Sequence, residues 1–403
     1  MPQTWIPFST ILKSALRVLE KPRYARSLTM LQFDKVVRNL LPSSSDGTAG
    51  RIRQCSIRIT DVCNLRCHTC GQWGDSGFLH GQPLKALKDQ EVSRDRYVEL
   101  LRDLAHHGHL PSVYLWGGEP MLYDGTVEIL EEAARLGMPP SIATNGTGVA
   151  RHADRLVAAP MFLVQISIDG PDRSTHNACR PGAGSSADNF ATVQDAIDRI
   201  VECRGRRRRR LPLLAALTTI NHVNHDRLIA IYDTLRDRVD VCVFYLAWWI
   251  DEPSAGAHAE DFQRRFGFRP TKHQGWVGNW RPPDYQALSH QLTTLARRAS
   301  DSKGPAVVIL PHLTESRQLE AYYTDHAARF GFDRCVSIFG AVEINANGDM
   351  SPCRDYHDYV VGNVKDRTIT DLWNSEKYKR FRASLARDGL MPVCTRCCGL
   401  MGY

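Results

Sequence analysis

Between Cys55 and Leu246 the chain switches repeatedly between two hydrophobic rhythms. Short β-branched or apolar runs at 56–60, 112–116, 141–144, 162–168, 213–220 and 241–246 read as strands. Between them, at 94–107, 125–136, 150–158, 189–203 and 225–236, apolar residues recur every three or four positions, as on an amphipathic helix. Six strand–helix units predict an α/β fold with a parallel sheet, outer helices and a ligand site beyond the carboxyl ends of the strands.

The flanking stretches behave differently. Residues 1–50 carry an amphipathic pattern at 8–20 and read as an amino-terminal helical extension. Residues 248–304 are rich in Trp, His, Gly and Pro, with Trp248, Trp249, Trp276 and Trp280 among them, and break the repeat. They read as an insertion or linker that either completes the substrate side or packs aromatics against the sheet. From residue 335 onward, Asn345-Ala346-Asn347-Gly348-Asp349 is a hairpin signal and 370–385 a helical one. The organisation expected is an extension (1–50), a core (51–250), an insertion (251–334) and a small carboxy-terminal domain (335–403).

Composition narrows the class. With 403 residues, 43% of them hydrophobic, the chain can build a large core and is not generally disordered. No apolar run approaches a membrane span, and no secretory signal pattern opens the chain, so a cytoplasmic protein is expected. Much of the formal charge of +7 lies in Arg204 and Arg206 to Arg210, without interleaved aromatics. That run reads as a solvated loop rather than a nucleic-acid surface.

The twelve cysteines are clustered, which in a long chain without an export signal favours metal ligation over disulfides. Cys63, Cys67 and Cys70 follow the first strand pattern directly. Three thiols in a loop can hold three corners of one iron–sulfur cube and leave the fourth iron open. A zinc knuckle or chance crowding is the blander alternative. Cys335, Cys353, Cys394 and Cys397 form a second set, sufficient for zinc or for a closed [4Fe–4S] cluster.

Cys63-x3-Cys67-x2-Cys70 resembles the signature of the radical S-adenosylmethionine (SAM) superfamily. The resemblance implies a partial (β/α)6 TIM-like barrel. It also implies SAM bound to the open iron of a [4Fe–4S] cluster and a deoxyadenosyl radical that abstracts hydrogen from substrate. Gly117-Gly118-Glu119-Pro120 is similar to the family segment that binds the SAM amino group. Thr144 and Asn145, Ser167 and Asp169, and the downstream Arg180 resemble further SAM-contacting positions. Asn-Gly and Asp-Gly are also ordinary turn formers. The second cysteine set resembles a twitch or SPASM auxiliary domain, here with one auxiliary [4Fe–4S] cluster and Cys398 outside the ligand set.

The reaction is narrowed less. Cys179 is expected in a loop facing SAM, where its thiol would return hydrogen to a substrate radical. This arrangement resembles radical SAM epimerases of aminoglycoside sugars; relatives without such a thiol oxidise alcohols. Epimerisation or dehydrogenation of a sugar or aminocyclitol in natural-product biosynthesis is the leading expectation, with a flavodoxin- or ferredoxin-type electron donor. Maturation of a ribosomal peptide is the alternative. A non-catalytic iron–sulfur or zinc protein binding nucleic acid is the distant third and leaves Gly-Gly-Glu-Pro unexplained.

Overall fold

The computed structural model describes residues 17–40, 46–184, 188–299 and 304–401. The amphipathic pattern at 8–20 lies almost wholly outside them. The chain then runs α1 (Pro22–Leu40), β1 (Gln54–Thr60), α2 (Leu84–Asp89), α3 (Arg94–His106), β2 (Ser112–Gly117) and α4 (Thr126–Leu136). It continues with β3 (Pro140–Thr144), α5 (Val149–Ala158), β4 (Leu163–Ser167), α6 (Arg173–Cys179), α7 (Asn189–Arg207), β5 (Leu213–Ile220), α8 (Leu228–Leu235) and β6 (Val241–Leu246). All six expected strands form, and they pair in parallel in chain order.

Local chemistry explains the boundaries. Ser93 accepts the Arg96 backbone N–H and starts α3, whose Tyr97, Leu100, Leu101 and Leu104 face the core. Each such burial contributes about 2 kcal/mol. Gly137, at φ 81°, ends α4 by donating its N–H to the Ala133 and Ala134 carbonyls.

The stretch expected to be an irregular insertion is regular. It contains α9 (Glu252–Phe266), α10 (Tyr285–Arg298), β7 (Ala306–Leu310) and α11 (Ser316–Thr324), and β7 pairs in parallel with β6. Pro253 does not break a helix here; it sits in the first turn of α9, after Asp251 has capped Ser254. Asp284, just after the Pro-Pro pair, caps α10 in the same way.

The expected hairpin forms from β8 (Ala341–Ile344) and β9 (Asp349–Ser351), with Gly348 at φ 92° in the turn. β8 also pairs in parallel with β1, from Gln54↔Ala341 to Ile57↔Ile344. With β10 (Gly362–Asn363) the sheet order becomes β10-β9-β8-β1-β2-β3-β4-β5-β6-β7. The single helix expected over 370–385 is two, α12 (Ile369–Trp373) and α13 (Glu376–Asp388). Asn374 separates them because its side-chain oxygen accepts from Ala49 N at 3.0 Å and Arg382 Nη1 at 2.9 Å.

The arginine run is not a free loop. Arg204 to Arg207 end α7, where Arg204 pairs with Asp240, and Arg206 and Arg207 share Asp154. Arg209 pairs with Glu20. Its charge is largely spent within the molecule. Among the described residues, no helix is long and apolar enough to cross a membrane.

Candidate active site

β1 delivers the chain to the cysteine loop, and the loop is pinned on both sides. Gly118 N donates to Thr60 O and Glu119 N to Val62 O, each at 2.8 Å. On the far side Arg66 N donates to Pro181 O at 2.7 Å, Ala183 N to Asn64 O at 2.9 Å, and Leu65 bridges Gly182. Within the loop Trp73 Nε1 reaches Asp61 O at 2.7 Å, and the Arg66 guanidinium covers the Trp73 ring at 4.0 Å. Backbone N–H groups point at sulfur: Leu65 N to Cys63 Sγ at 3.4 Å and Trp73 N to Cys70 Sγ at 3.5 Å.

Cys63, Cys67 and Cys70 border one cavity of about 280 Å³ at the carboxyl ends of the strands. Gly117, Gly118, Thr144, Asn145, Ser167 and Arg180 border the same cavity. Aromatic rings border it as well: Trp73, Tyr114, Trp116, Tyr245, Trp248 and Trp276. Trp248 and Trp276 stack at 3.8 Å, and Trp276 lies so close to Gly71 that a Cβ there would come within 2.4 Å of its ring. Of the tryptophans that the sequence left between lid and packing, Trp248 and Trp276 therefore reach the cavity. Trp249 is buried against His326, and Trp280 belongs to the core.

The paired glycines have a second cause besides access to a ligand. A Cβ on Gly117 would fall 2.3 Å from Thr60 O, and one on Gly118 2.2 Å from Val62 O. Only glycine lets β2 meet the start of the cysteine loop this closely.

Glu119, Pro120, Asp169 and Cys179 do not border the cavity. The Glu119 carboxylate, fully buried, accepts from Met121 N at 3.0 Å, Thr144 Oγ1 at 2.7 Å and Asn145 N at 2.7 Å. It ties β2 to the end of β3. Burial pushes its carboxyl up to about 7 despite these donors. Pro120 opens a short 3-10 turn behind it. Asp169 lies beneath the floor, its carboxylate accepting from Arg180 Nε and Thr219 N at 2.7 Å each.

Cys179 is corrected most. It ends α6 rather than lying in an open loop, and it is buried. Its thiol faces Asp169 O at 3.7 Å and Asn221 Oδ1 at 3.8 Å. Asp172 caps α6 through Thr175 N, and that one short helix turns the thiol inward.

At the second cysteine set, burial and the neighbouring Asp355, Cys394 and Cys335 push the Cys353 thiol well up. Burial, then Cys335, pushes Cys394 up to about 12. Cys397 and Cys398 both donate to Asp355 Oδ2 at 3.2 Å, so Cys398 stands as near this group as Cys397 does. Thr395 and Arg396 anchor the Cys-x2-Cys segment. Thr395 Oγ1 donates to His326 O at 2.7 Å, and Arg396 donates to Tyr322 O at 2.7 Å, Asp325 O at 2.6 Å and Ala328 O at 2.9 Å.

These thiols suit clusters better than a single ion. Among the described residues no three His, Cys, Asp or Glu side chains gather tightly enough to hold one metal ion. Three half-buried thiols spread around a cavity fit instead the donor set of a polynuclear cluster, whose positive charge replaces their protons.

The sequence profile of the Radical SAM superfamily matches residues 57–236, and that of an iron–sulfur cluster-binding domain, SPASM, matches 335–398. The chain therefore carries a Radical SAM domain followed by a SPASM domain. Its cofactors are SAM and a [4Fe–4S] cluster, with auxiliary iron–sulfur chemistry in the SPASM part. The chain is 35% identical over 130 residues to GTP 3′,8-cyclase 2 of Mycobacterium tuberculosis. That match covers 32% of the chain and 34% of the cyclase, so it spans only about a third of that enzyme's length. It is 23% identical over 352 residues to AdoMet-dependent heme synthase of Nitratidesulfovibrio vulgaris, covering 83% of each. In fold it resembles SuiB of Streptococcus suis bound to S-adenosylmethionine, with TM-score 0.56 and 14% identity, over 82% of this chain and 68% of SuiB.

Sequence reasoning missed Tyr114, Trp116, Tyr245 and Thr219 as cavity residues. It also missed Asn64, whose Oδ1 accepts from Asn145 Nδ2 at 2.9 Å and orients that side chain beside the thiols.

Proposed function

We propose that this chain is a radical SAM oxidoreductase that removes hydrogen from a small, polar, ring-bearing substrate. The observation that carries the reading is the cavity itself, which three thiols and a set of aromatic rings border together. Cys63, Cys67 and Cys70 would hold the cluster. Gly117, Gly118, Thr144, Asn145, Ser167 and Arg180 would position SAM, with Glu119 and Asp169 acting through the residues they fix. When bound, cluster and SAM supply hydrogen-atom abstraction, chemistry the side chains lack. Tyr114, Trp116, Trp248 and Trp276 offer flat faces to a sugar ring or other planar group and keep water from the reacting carbon. Cys335, Cys353, Cys394 and Cys397 would hold one auxiliary cluster. Anaerobic reconstitution is then expected to give about eight irons per chain, read by iron and sulfide assay. About four would remove the auxiliary cluster.

Dehydrogenation is favoured over epimerisation by the position of Cys179. Among the described residues, the cysteines that border the cavity are the three loop ligands, and none beside them stands there to return hydrogen. Candidate sugars and aminocyclitols incubated in D2O are expected to give a product two hydrogens lighter, without solvent deuterium on carbon. Cys179→Ala is expected to keep both 5′-deoxyadenosine and product yields. Deuterium at the attacked carbon, together with loss of product in Cys179→Ala, would return the epimerase reading.

A second reading draws on the match to a heme synthase over 83% of the chain. A tetrapyrrole could lie against the same aromatic rings. Mass spectrometry of parallel incubations with tetrapyrroles, sugars and peptides separates the candidate substrates.

A further inference from the structure

The three loop sulfurs do not have equivalent surroundings. Cys63 and Cys70 are met by backbone N–H groups at 3.4 and 3.5 Å. Cys67 is met by a charged donor, Arg180 Nη1, at 3.7 Å from its sulfur. That guanidinium cannot drift. Its Nε donates to Asp169 Oδ2 at 2.7 Å, and the other carboxylate oxygen is taken by Thr219 N at 2.7 Å. Asp169 N in turn donates to His176 Nδ1 at 3.2 Å, which fixes the backbone beneath the pair. The Arg180 and Asp169 side chains are only 13% and 4% exposed, so salt and water screen them little.

We propose that the Asp169–Arg180 pair sets the reduction potential of the cluster held through Cys67, by the guanidinium N–H donated to that sulfur. The proposal rests on the reading of Cys63, Cys67 and Cys70 as cluster ligands. Hydrogen bonds to ligand sulfurs and nearby fixed charge are the levers by which a protein tunes such a potential. A one-electron reduction makes the cluster more negative, so a positive neighbour favours the reduced form and raises the potential. Asp169, one bond further away, partly offsets that effect while holding the donor in place. The two members therefore act with opposite signs.

The test is an EPR-monitored redox titration of the anaerobically reconstituted full chain without SAM. The loop cluster is identified as the one whose signal changes when SAM is added afterwards. Arg180→Gln is expected to lower its potential, because the positive donor goes and the Asp169 charge stays. Asp169→Asn is expected to raise it, because the guanidinium loses its counter-charge. Unchanged potentials in both variants, or shifts of the same sign, overturn the proposal. If one variant fails to fold or load, the sign of the other decides. If neither holds the loop cluster while the parent does, the pair serves assembly rather than potential, and the proposal is wrong. A parent chain that assembles no cluster at this loop sinks the underlying cofactor reading instead.

Discussion

Cys67→Ala is expected to end SAM cleavage altogether, with no 5′-deoxyadenosine detectable under strongly reducing anaerobic conditions. The loop supplies three thiolates to one cluster, and Cys67 is the one that a charged donor touches at 3.7 Å. Losing one of three ligands leaves an iron without protein support. Iron content should fall from about eight to about four per chain, because the carboxy-terminal thiols stand apart from the change. The paired iron and cleavage assays check both halves. Deoxyadenosine formed at the parental rate would remove Cys67 from the ligand set.

Gly118→Ala should be nearly as damaging, although it removes no chemical group. The added methyl would sit 2.2 Å from Val62 O, 2.6 Å from Val62 C and 2.8 Å from Asp61 O. All three are backbone atoms, one step before Cys63, so no flexible side chain can swing away. Forcing an atom into such a space costs about 3 kcal/mol. The strain is relieved most easily by moving the cysteine loop off β2. The expected outcome is a lower unfolding temperature and a loop that fails to retain its cluster, while the auxiliary iron persists. A variant that unfolds at the parental temperature and cleaves SAM normally would mean the two backbones can separate at no cost.

How far the sequence exposed this depended on whether the signal was local. The β-branched runs and three-to-four-residue apolar spacing located β1 to β6 and α3, α4, α5, α7 and α8 to within a few residues, but not the short α2 and α6. β7 went unread although Ala306–Leu310 is an ordinary apolar run. The aromatic, Pro-rich sequence before it suggested disorder of pattern, and only Asp251 and Asp284 mark the helix starts there.

Cys63, Cys67, Cys70, Gly117, Gly118, Thr144, Asn145, Ser167 and Arg180 border one cavity, since residues after adjacent strands share an end of the sheet, while Glu119, Pro120 and Asp169 stand behind it. Tyr114 and Trp116 were invisible because a parallel strand is covered on both faces. Alternation therefore does not say which side is the interior. Cys179 misled for the opposite reason. Its place in the chain, next to Arg180, is right, but one turn of α6 decides which way a thiol points. Arg396 gave no sign at all that five of the chain's carbonyls would converge on its guanidinium.

The pairing of β8 with β1 has a practical corollary for anyone cutting the gene. A protein ended before residue 335 would expose the whole flank of the strand that leads into the three thiols, a bare ladder ready to zip onto a neighbouring molecule. The carboxy-terminal segment is thus a shutter on the core as well as a cluster carrier. Truncates should precipitate rather than survive as a minimal SAM-cleaving unit.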